Sequence, residues 1–413
     1  MQDHHPARLD QLTDAPLEHM PYKPTKTVTI IALILALSIF SLELGWLYPK
    51  MRADNVLPDF IEYWSAGRAL LSGNNPYSPD QLLTMQKSAG WTKADPLMMY
   101  NPPWTFLFTL PFCLDYYPLS KFLWFLFNMV LAFICGDWIW RLYGGPEKYR
   151  YVSLLVTFTF APVLFAIGVG QIVPLILLGL VAFLQCAKLQ KWWVAGLFLV
   201  LMAIKPHTLY LFWVALLLWL WDRKNRLLVL GAGASGLTAI AVPVILYPDV
   251  INGYVDFILH QPPLFYKSPA PGSFLRLLLG EERTWLQALP PCIGLVWFFF
   301  YWRVHRNDWR WDQRAPAVIF LSLLTTPYGW SFDYALLLPA IMKIAIETFR
   351  SQRRTVIAQL IGIHLVINGI ALILRLVAFP DHYMFWFGPV LLLIYIVLSR
   401  MVDRDRTPPS PVS

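Results

Sequence analysis

The chain has 413 residues, of which 57% are hydrophobic and only 14% are charged, and its mean hydropathy is +0.51. Soluble domains carry about 25% charged residues, so this composition excludes an ordinary soluble globular protein and indicates an all-α polytopic membrane protein. The net charge of +8 does not indicate a nucleic-acid partner. The basic residues cluster in short loops between apolar runs, where they orient a chain in the bilayer.

Residues 1–26 are polar and contain prolines, which is typical of a disordered cytosolic tail. The first apolar run starts late and lacks a small-residue cleavage site, so we expect a spanning segment rather than a cleaved signal peptide. Because a span needs about 20 apolar residues, we expect twelve spans, at 27–47, 119–140, 151–169, 172–188, 192–205, 206–221, 227–247, 286–303, 315–328, 331–348, 355–378 and 384–400. Lys205-Pro206 interrupts the apolar run 192–221, which favours two short helices there.

The apolar run 103–116 is interpreted as a half-helix that dips into the membrane. Counting it as a full span would reverse every later segment and remove the excess of Lys and Arg from the cytoplasmic loops. With the N-terminus inside, residues 27–400 form one transmembrane domain and 401–413 a second cytosolic tail. Two long loops, 48–118 and 248–285, then lie outside the cell membrane, and we expect the second to cover the first.

The first external loop contains a predicted amphipathic helix over 58–71. Pro58 suits a first helical position, and Gly73 followed by Asn74 supplies a stop. Helical spacing puts two acids and a phenol on one face, namely Asp59, Glu62 and Tyr63. The opposite side is apolar and would lie on the bilayer or pack on membrane helices, with Phe60, Ile61, Trp64 and Leu71.

Asp59 is the leading candidate for a catalytic residue. A carboxylate at the start of an external helix, beside Glu62, is able to remove a proton from an acceptor hydroxyl. The alternative is a solvated acid that only favours the helix dipole. Position alone does not separate the two interpretations.

Lys205 and His207 lie at the outer end of the short hairpin predicted over 192–221. A lysine there is costly unless it is paired, reaches the interface or is functional, and it would suit a lipid-linked phosphate. Arg375, five residues before Pro380, is either a second phosphate-binding cation or an interface anchor.

Gln171 and Asp333 also lie at outer ends of predicted spans. Asp333 would orient sugar hydroxyls, pair with Lys205 or be solvated. His260, in the second external loop, is a candidate for the acceptor pocket, with a structural role as the alternative. The external loops contain no Asp-X-Asp string and the chain no Gly-rich phosphate loop, so neither a metal site nor a cofactor is predicted.

Several strings together resemble glycosyltransferase family 87, polytopic enzymes that use polyprenyl-phosphate sugars, many described as mannosyltransferases. The most specific is D-F-I-E-Y-W-S-A-G-R-A-L-L-S-G-N-N-P-Y at 59–77. Weaker matches are Y-N-P-P-W-T-F at 100–106, G-Q-I at 170–172, I-K-P-H at 204–207 and T-P-Y-G-W-S-F-D-Y-A-L-L-L-P at 326–339. Some members carry a histidine near the last string, where this chain has Phe332 and Asp333, so that role would fall to Asp333 here.

The resemblance implies a C-type glycosyltransferase fold, Asp59 as general base and binding of the donor phosphate near Lys205. The reaction it implies is a one-step displacement that needs no metal, between a polyprenyl-phosphate sugar donor and a lipid or glycan acceptor. The alternative function is a transporter or flippase for lipid-linked sugars. Transporters place charges at mid-membrane on broken helices, often in repeated halves, whereas the acids here lie in a long external loop.

Overall fold

The computed structural model describes residues 57–263, 267–350 and 354–404. Within those ranges every regular element is an α- or 3₁₀-helix, which confirms the all-α class there. The expected tail 1–26, the expected span 27–47 and residues 405–413 of the expected second tail lie outside the described residues.

Helix α1 (Phe60–Leu71) and helix α2 (Pro79–Ser88) are the first two described helices, and both lie in the predicted loop 48–118. Helix α1 starts two residues later than predicted, so Pro58 precedes the helix instead of opening it. Phe60 stacks on Tyr117 and Trp124, with ring centroids 6.1 and 5.3 Å away, and it is fully buried. The apolar side of α1 therefore packs on a membrane helix, one of the two arrangements expected.

The run 103–116 consists of three short turns, Pro103–Thr105, Phe106–Thr109 and Leu110–Phe112. Prolines at 103 and 111 remove backbone donors, and so limit each turn. None of these elements is long enough to cross a bilayer, which agrees with the prediction that this run is not a full span.

The predicted span 151–169 is broken, because helix α4 (Tyr151–Thr159) and helix α5 (Ala161–Val169) meet at 67°. Pro162 lies in the first turn of α5, where its missing N–H is tolerated. The same proline would interrupt a single helix that ran on from α4. Helix α3 (Tyr117–Leu142) precedes this pair and helix α6 (Val173–Lys188) follows it. Every residue of α5 is buried, so protein surrounds it on all sides.

The predicted break at Lys205-Pro206 is confirmed. Helix α7 (Trp192–Leu197) and the turn Leu199–Met202 end before it, and a 3₁₀ turn Pro206–Leu209 leads into helix α8 (Tyr210–Arg223). Helix α9 (Arg226–Leu246) then crosses α7 at two glycines. A Cβ on Gly196 would lie 2.3 Å from the Leu228 carbonyl oxygen, so only a residue without a side chain allows this approach.

The rest of the described chain consists of helices joined by short turns. These are helix α10 (Val250–His260), α11 (Pro271–Leu279), α12 (Leu289–His305), α13 (Trp311–Leu324), the 3₁₀ segment Ser331–Leu337, α14 (Leu338–Arg350), α15 (Arg354–Leu376), the 3₁₀ segment Asp381–Trp386 and α16 (Phe387–Arg404). Helix α10 covers the first external loop, since the Phe257 ring lies 5.8 Å from Tyr77 and 5.0 Å from Tyr100. The segments 48–118 and 248–285, predicted as loops, are thus in contact in the structure.

Five helical segments of the described residues are long and apolar enough to cross a membrane, or six if the bent pair counts as one span. They are Tyr117–Leu142, Arg226–Leu246, Thr284–Asp308, Arg354–Leu376 and Asp381–Met401. The expected count of twelve is not confirmed, because helices such as α6, with 16 residues, rise only about 24 Å. In the most apolar 18-residue stretch of each of these helices, between 22% and 44% of the residues are buried. The remaining residues are partly or fully exposed, as expected for helices that face lipid.

Candidate active site

The start of α1 is fixed against the end of α5. The backbone N–H of Asp59 donates to the Val169 carbonyl at 2.9 Å. Gly170, which ends α5, has φ +79°, and a Cβ there would lie 2.9 Å from the Leu57 Cβ and 3.0 Å from the Phe60 Cβ. Glycine alone meets both the conformation and the close approach, and the next residue, Gln171, is thereby placed beside Asp59.

Gln171 joins three predicted site residues through its amide. Its Nε2 donates to Asp59 Oδ2 at 2.7 Å, while its Oε1 accepts from the Tyr63 hydroxyl at 3.1 Å and from Lys205 Nζ at 2.9 Å. The amide has one workable orientation, because an ammonium group only donates and an ionised carboxylate only accepts. An acid and a cation 146 positions apart in sequence therefore share one amide.

Lys205 also pairs with Asp333, Nζ to Oδ1 at 3.1 Å, and both side chains are buried. The second carboxylate oxygen of Asp333 accepts from the Trp330 N–H at 2.8 Å. Of the three roles considered for Asp333, pairing with Lys205 is the one confirmed. A buried lysine requires such a partner, and the Phe332 ring, 4.7 Å from Nζ, covers the pair.

The two acids of α1 differ in proton affinity. Burial raises the pKa of Asp59, while the hydrogen bond from Gln171 and the charges of Lys205 and Arg375 lower it. Burial and the neighbouring Asp59 charge raise the pKa of Glu62 well above its usual range. Two close carboxylates in such unequal surroundings do not share one role. The pKa of Glu62 is thus raised further from its usual value than that of Asp59.

Residues from the segments 100–106 and 326–339 fix the backbone of the Lys205 loop through hydrogen bonds. Asn101 Nδ2 donates to the Ile204 carbonyl at 3.3 Å, and Trp104 Nε1 donates to the Ala203 carbonyl at 3.2 Å. On the other side Thr326 donates to the His207 carbonyl at 3.1 Å. The His207 ring itself is half-buried against Tyr328, 5.8 Å between centroids. These contacts keep the loop, and thus the ammonium group, in place.

Two further predicted residues differ in their placement. Arg375 is half-buried at the end of α15, with its guanidinium carbon 5.9 Å from the Phe165 ring centroid, and its charge acts on Asp59. His260 ends α10 with a side chain that is 74% exposed, and it pairs with Asp256 at 3.1 Å. It takes part in none of the hydrogen bonds that connect Asp59 to Asp333.

Sequence reasoning missed Asp381, which follows Pro380 directly. Its carboxylate accepts from the Ser331 N–H at 3.2 Å and from the Ser331 hydroxyl, and its charge raises the pKa of Asp59. An acid just beyond the helix that ends near Arg375 was the available signal. The described residues hold no group of three or more His, Cys, Asp or Glu side chains suited to a metal ion.

A sequence model of glycosyltransferase family 87 matches residues 99–327, more than half of the chain. The chain belongs to glycosyltransferase family 87. This member of the family is thus a membrane enzyme that transfers sugar. The match includes Gln171, Lys205 and His207, whereas Asp59 and Asp333 lie on either side of it. No curated protein and no solved structure matches the chain.

Proposed function

We propose that this glycosyltransferase moves a sugar, with mannose as the first candidate, from polyprenyl phosphate to a hydroxyl of a lipid or glycan acceptor. Asp59 acts as the general base. One observation carries the proposal, the hydrogen-bonded chain from Asp59 through Gln171 to Lys205. It holds a proton acceptor and a phosphate-binding cation at a fixed separation, as a displacement at the carbon between them requires.

The proposed role of Asp59 as the base is supported by the different hydrogen bonding of its two carboxylate oxygens. Its Oδ2 accepts from Gln171, while Oδ1 accepts no hydrogen bond from any residue in the described ranges, and the side chain is half-buried. Oδ1 is therefore the atom that takes the acceptor proton as the hydroxyl oxygen attacks the anomeric carbon. Burial raises the pKa of this carboxyl group, which favours proton acceptance, while the Gln171 hydrogen bond and the charges of Lys205 and Arg375 oppose that rise.

The proposed binding of the departing phosphate is supported by the hydrogen-bond donors of Lys205. An ammonium group has three N–H donors, and two of them go to Gln171 and Asp333. The third makes no hydrogen bond to any described residue and is available to a phosphate oxygen. Arg375 supplies a second positive charge near the same acid. Charge that develops on the departing phosphate is met by these fixed cations, and no general acid is required.

The proposed place of reaction is supported by the positions of the cluster residues on the helices. Its members come from the start of α1, the ends of α5 and α15, and the breaks before α6 and α8. Such positions are interfacial in a chain of membrane helices, where a polyprenyl tail stays in lipid and its phosphate meets water. We assign this end to the outer face, with both termini cytoplasmic, in a C-type glycosyltransferase fold with about twelve spans.

The test is transfer from radiolabelled polyprenyl-phosphate mannose in membranes that contain the wild type or Asp59→Asn. Asparagine keeps the size and the contact with Gln171 but removes the base, so we expect transfer to fall by roughly 10²–10⁴-fold. Asp80→Asn, an exposed acid on α2, is the matched control and should retain wild-type transfer. Equal transfer by the Asp59→Asn enzyme, at equal protein level, would remove Asp59 as the base.

A further inference from the structure

A second polar site lies at the far end of the helices that carry the active site. Helix α6 begins two residues after Gln171 and ends at Lys188. Helix α8 begins beside the Lys205 loop and ends at Arg223, and α13 runs from Trp311 back toward the active site. The Leu211 N–H and the Ser322 hydroxyl join α8 to α13 at 3.2 Å near the active-site end. The opposite ends lie roughly 20–24 Å away, by helical rise.

Those opposite ends enclose a cavity of about 380 Å³. Three cations in its wall, Lys188, Arg223 and Arg310, face one acid, Asp312. Arg310 pairs with Asp312 at 3.5 Å, and Lys188 donates to the Leu142 carbonyl. Arg223 forms no ion pair with any described residue. The wall is thus positive overall, with a free guanidinium group at its edge.

Four indole groups also line this wall, those of Trp192, Trp219, Trp309 and Trp311. Trp309 and Trp311 are 7% and 4% exposed, and the Nε1 atom of each is buried without a hydrogen-bond acceptor among the described residues. Because these two N–H groups are closed to solvent, the three exposed cations beside them are the donors that favour an anionic ligand with several acceptor oxygens. A phosphate group has that chemistry and also has the charge that the cations require.

We propose that this cavity binds the phosphate of an anionic lipid headgroup. Basic pockets between membrane helices suit such headgroups, and tryptophan is favoured at the membrane interface. Apolar side chains near the same helix ends are exposed and open to acyl chains, Leu189 at 53% and Trp221 at 82%. Free phosphate would gain nothing from that surface. The proposal does not depend on the role given to Asp59.

Native mass spectrometry of the purified, delipidated full chain tests the proposal, with phosphatidylglycerol, phosphatidylcholine and inorganic phosphate added separately. We expect the wild type to retain phosphatidylglycerol and neither of the other two. Arg223→Gln with Arg310→Gln should weaken retention by roughly thirtyfold, since a surface cation contributes about 1 kcal/mol to such binding. Arg306→Gln, an exposed cation outside the cavity wall, is the matched control and should bind as the wild type does.

Two smaller changes keep the test valid if the double variant does not fold. Arg223→Gln alone removes an exposed charge that has no ion-pair partner in the described ranges, and it should weaken retention about fivefold. Lys188→Gln removes another exposed cation of the wall and should weaken retention by a similar factor. Wild-type retention by a folded Arg223→Gln/Arg310→Gln variant would overturn the proposal. Equal retention of phosphatidylcholine, or equal binding of inorganic phosphate, would overturn it as well.

Discussion

The two ends of helices α6, α8 and α13 use similar residue types in opposite ways. At the active-site end, Lys205 and Asp333 are buried and paired, and Gln171 connects the pair to Asp59. At the cavity end, Arg223 lacks an ion pair with any described residue, and two buried indole donors lack acceptors there. The first arrangement sets the proton affinity of one fixed group. The second leaves the exposed guanidinium group of Arg223 available to a ligand.

Burial explains the difference. A buried charge without a partner costs several kcal/mol, so Lys205 at the active-site end needs the two partners that it has, Gln171 and Asp333. The cations at the cavity end are exposed, and water stabilises them until an anion arrives. Substitutions should therefore disturb stability and catalysis together at one end, and ligand retention at the other.

The largest effect after loss of Asp59 should come from Lys205→Met. It removes the proposed phosphate-binding cation, so transfer should fall by about 10²–10³-fold, and it leaves Asp333 buried without its partner, which costs about 3–5 kcal/mol. Transfer from labelled donor and the thermal midpoint in detergent measure the two losses. Lys87→Met, at an exposed site on α2, is the control.

A double variant separates these two roles. Lys205→Met with Asp333→Leu replaces the ion pair by apolar groups, which is often nearly neutral for stability. We expect the midpoint to recover and transfer to stay low. Recovery of transfer along with stability would show that Lys205 is only structural.

A smaller effect is expected for Gln171→Leu, which interrupts the chain between the acid and the cation. The hydrogen bond from Gln171 lowers the pKa of Asp59, so its loss raises that pKa. Because the base must be ionised, the acid limb of kcat/KM against pH should move to higher pH, with about a tenfold lower maximum. An unshifted acid limb would contradict this positioning role.

The smallest effect, with the opposite sign, is expected for Asp381→Asn. The charge of Asp381 raises the pKa of Asp59, so its removal lowers that pKa, and the acid limb should move to lower pH by less than about one unit. Asparagine retains an acceptor for Ser331, which limits structural change. The same pH profile measures both variants, and a shift in one direction for both would exclude this electrostatic account.

The sequence predicted the membrane class, the helix of the first external loop and the break at Lys205-Pro206, because proline and hydropathy act locally. The expected count of twelve spans is not confirmed, since five described helical segments are long and apolar enough to cross a membrane, or six with the bent pair. A short apolar run looks the same whether lipid or protein surrounds it, and α5 and α6 are buried on nearly all sides. The bend at Phe160 was missed although Pro162 marks it.

For the candidate site, the sequence identified several residues that the structure brings together, but it left open which of them form hydrogen bonds with each other. Asp59, Gln171, Lys205 and Asp333 were each chosen for their position at a helix end, and the pairing of Lys205 with Asp333 was one of several alternatives. Only the tertiary structure decided that Gln171 bridges them, that Asp381 joins the cluster and that His260 pairs elsewhere. A hydrogen bond depends on distances of a few tenths of an ångström between segments far apart in sequence, and packing of the whole bundle sets those distances.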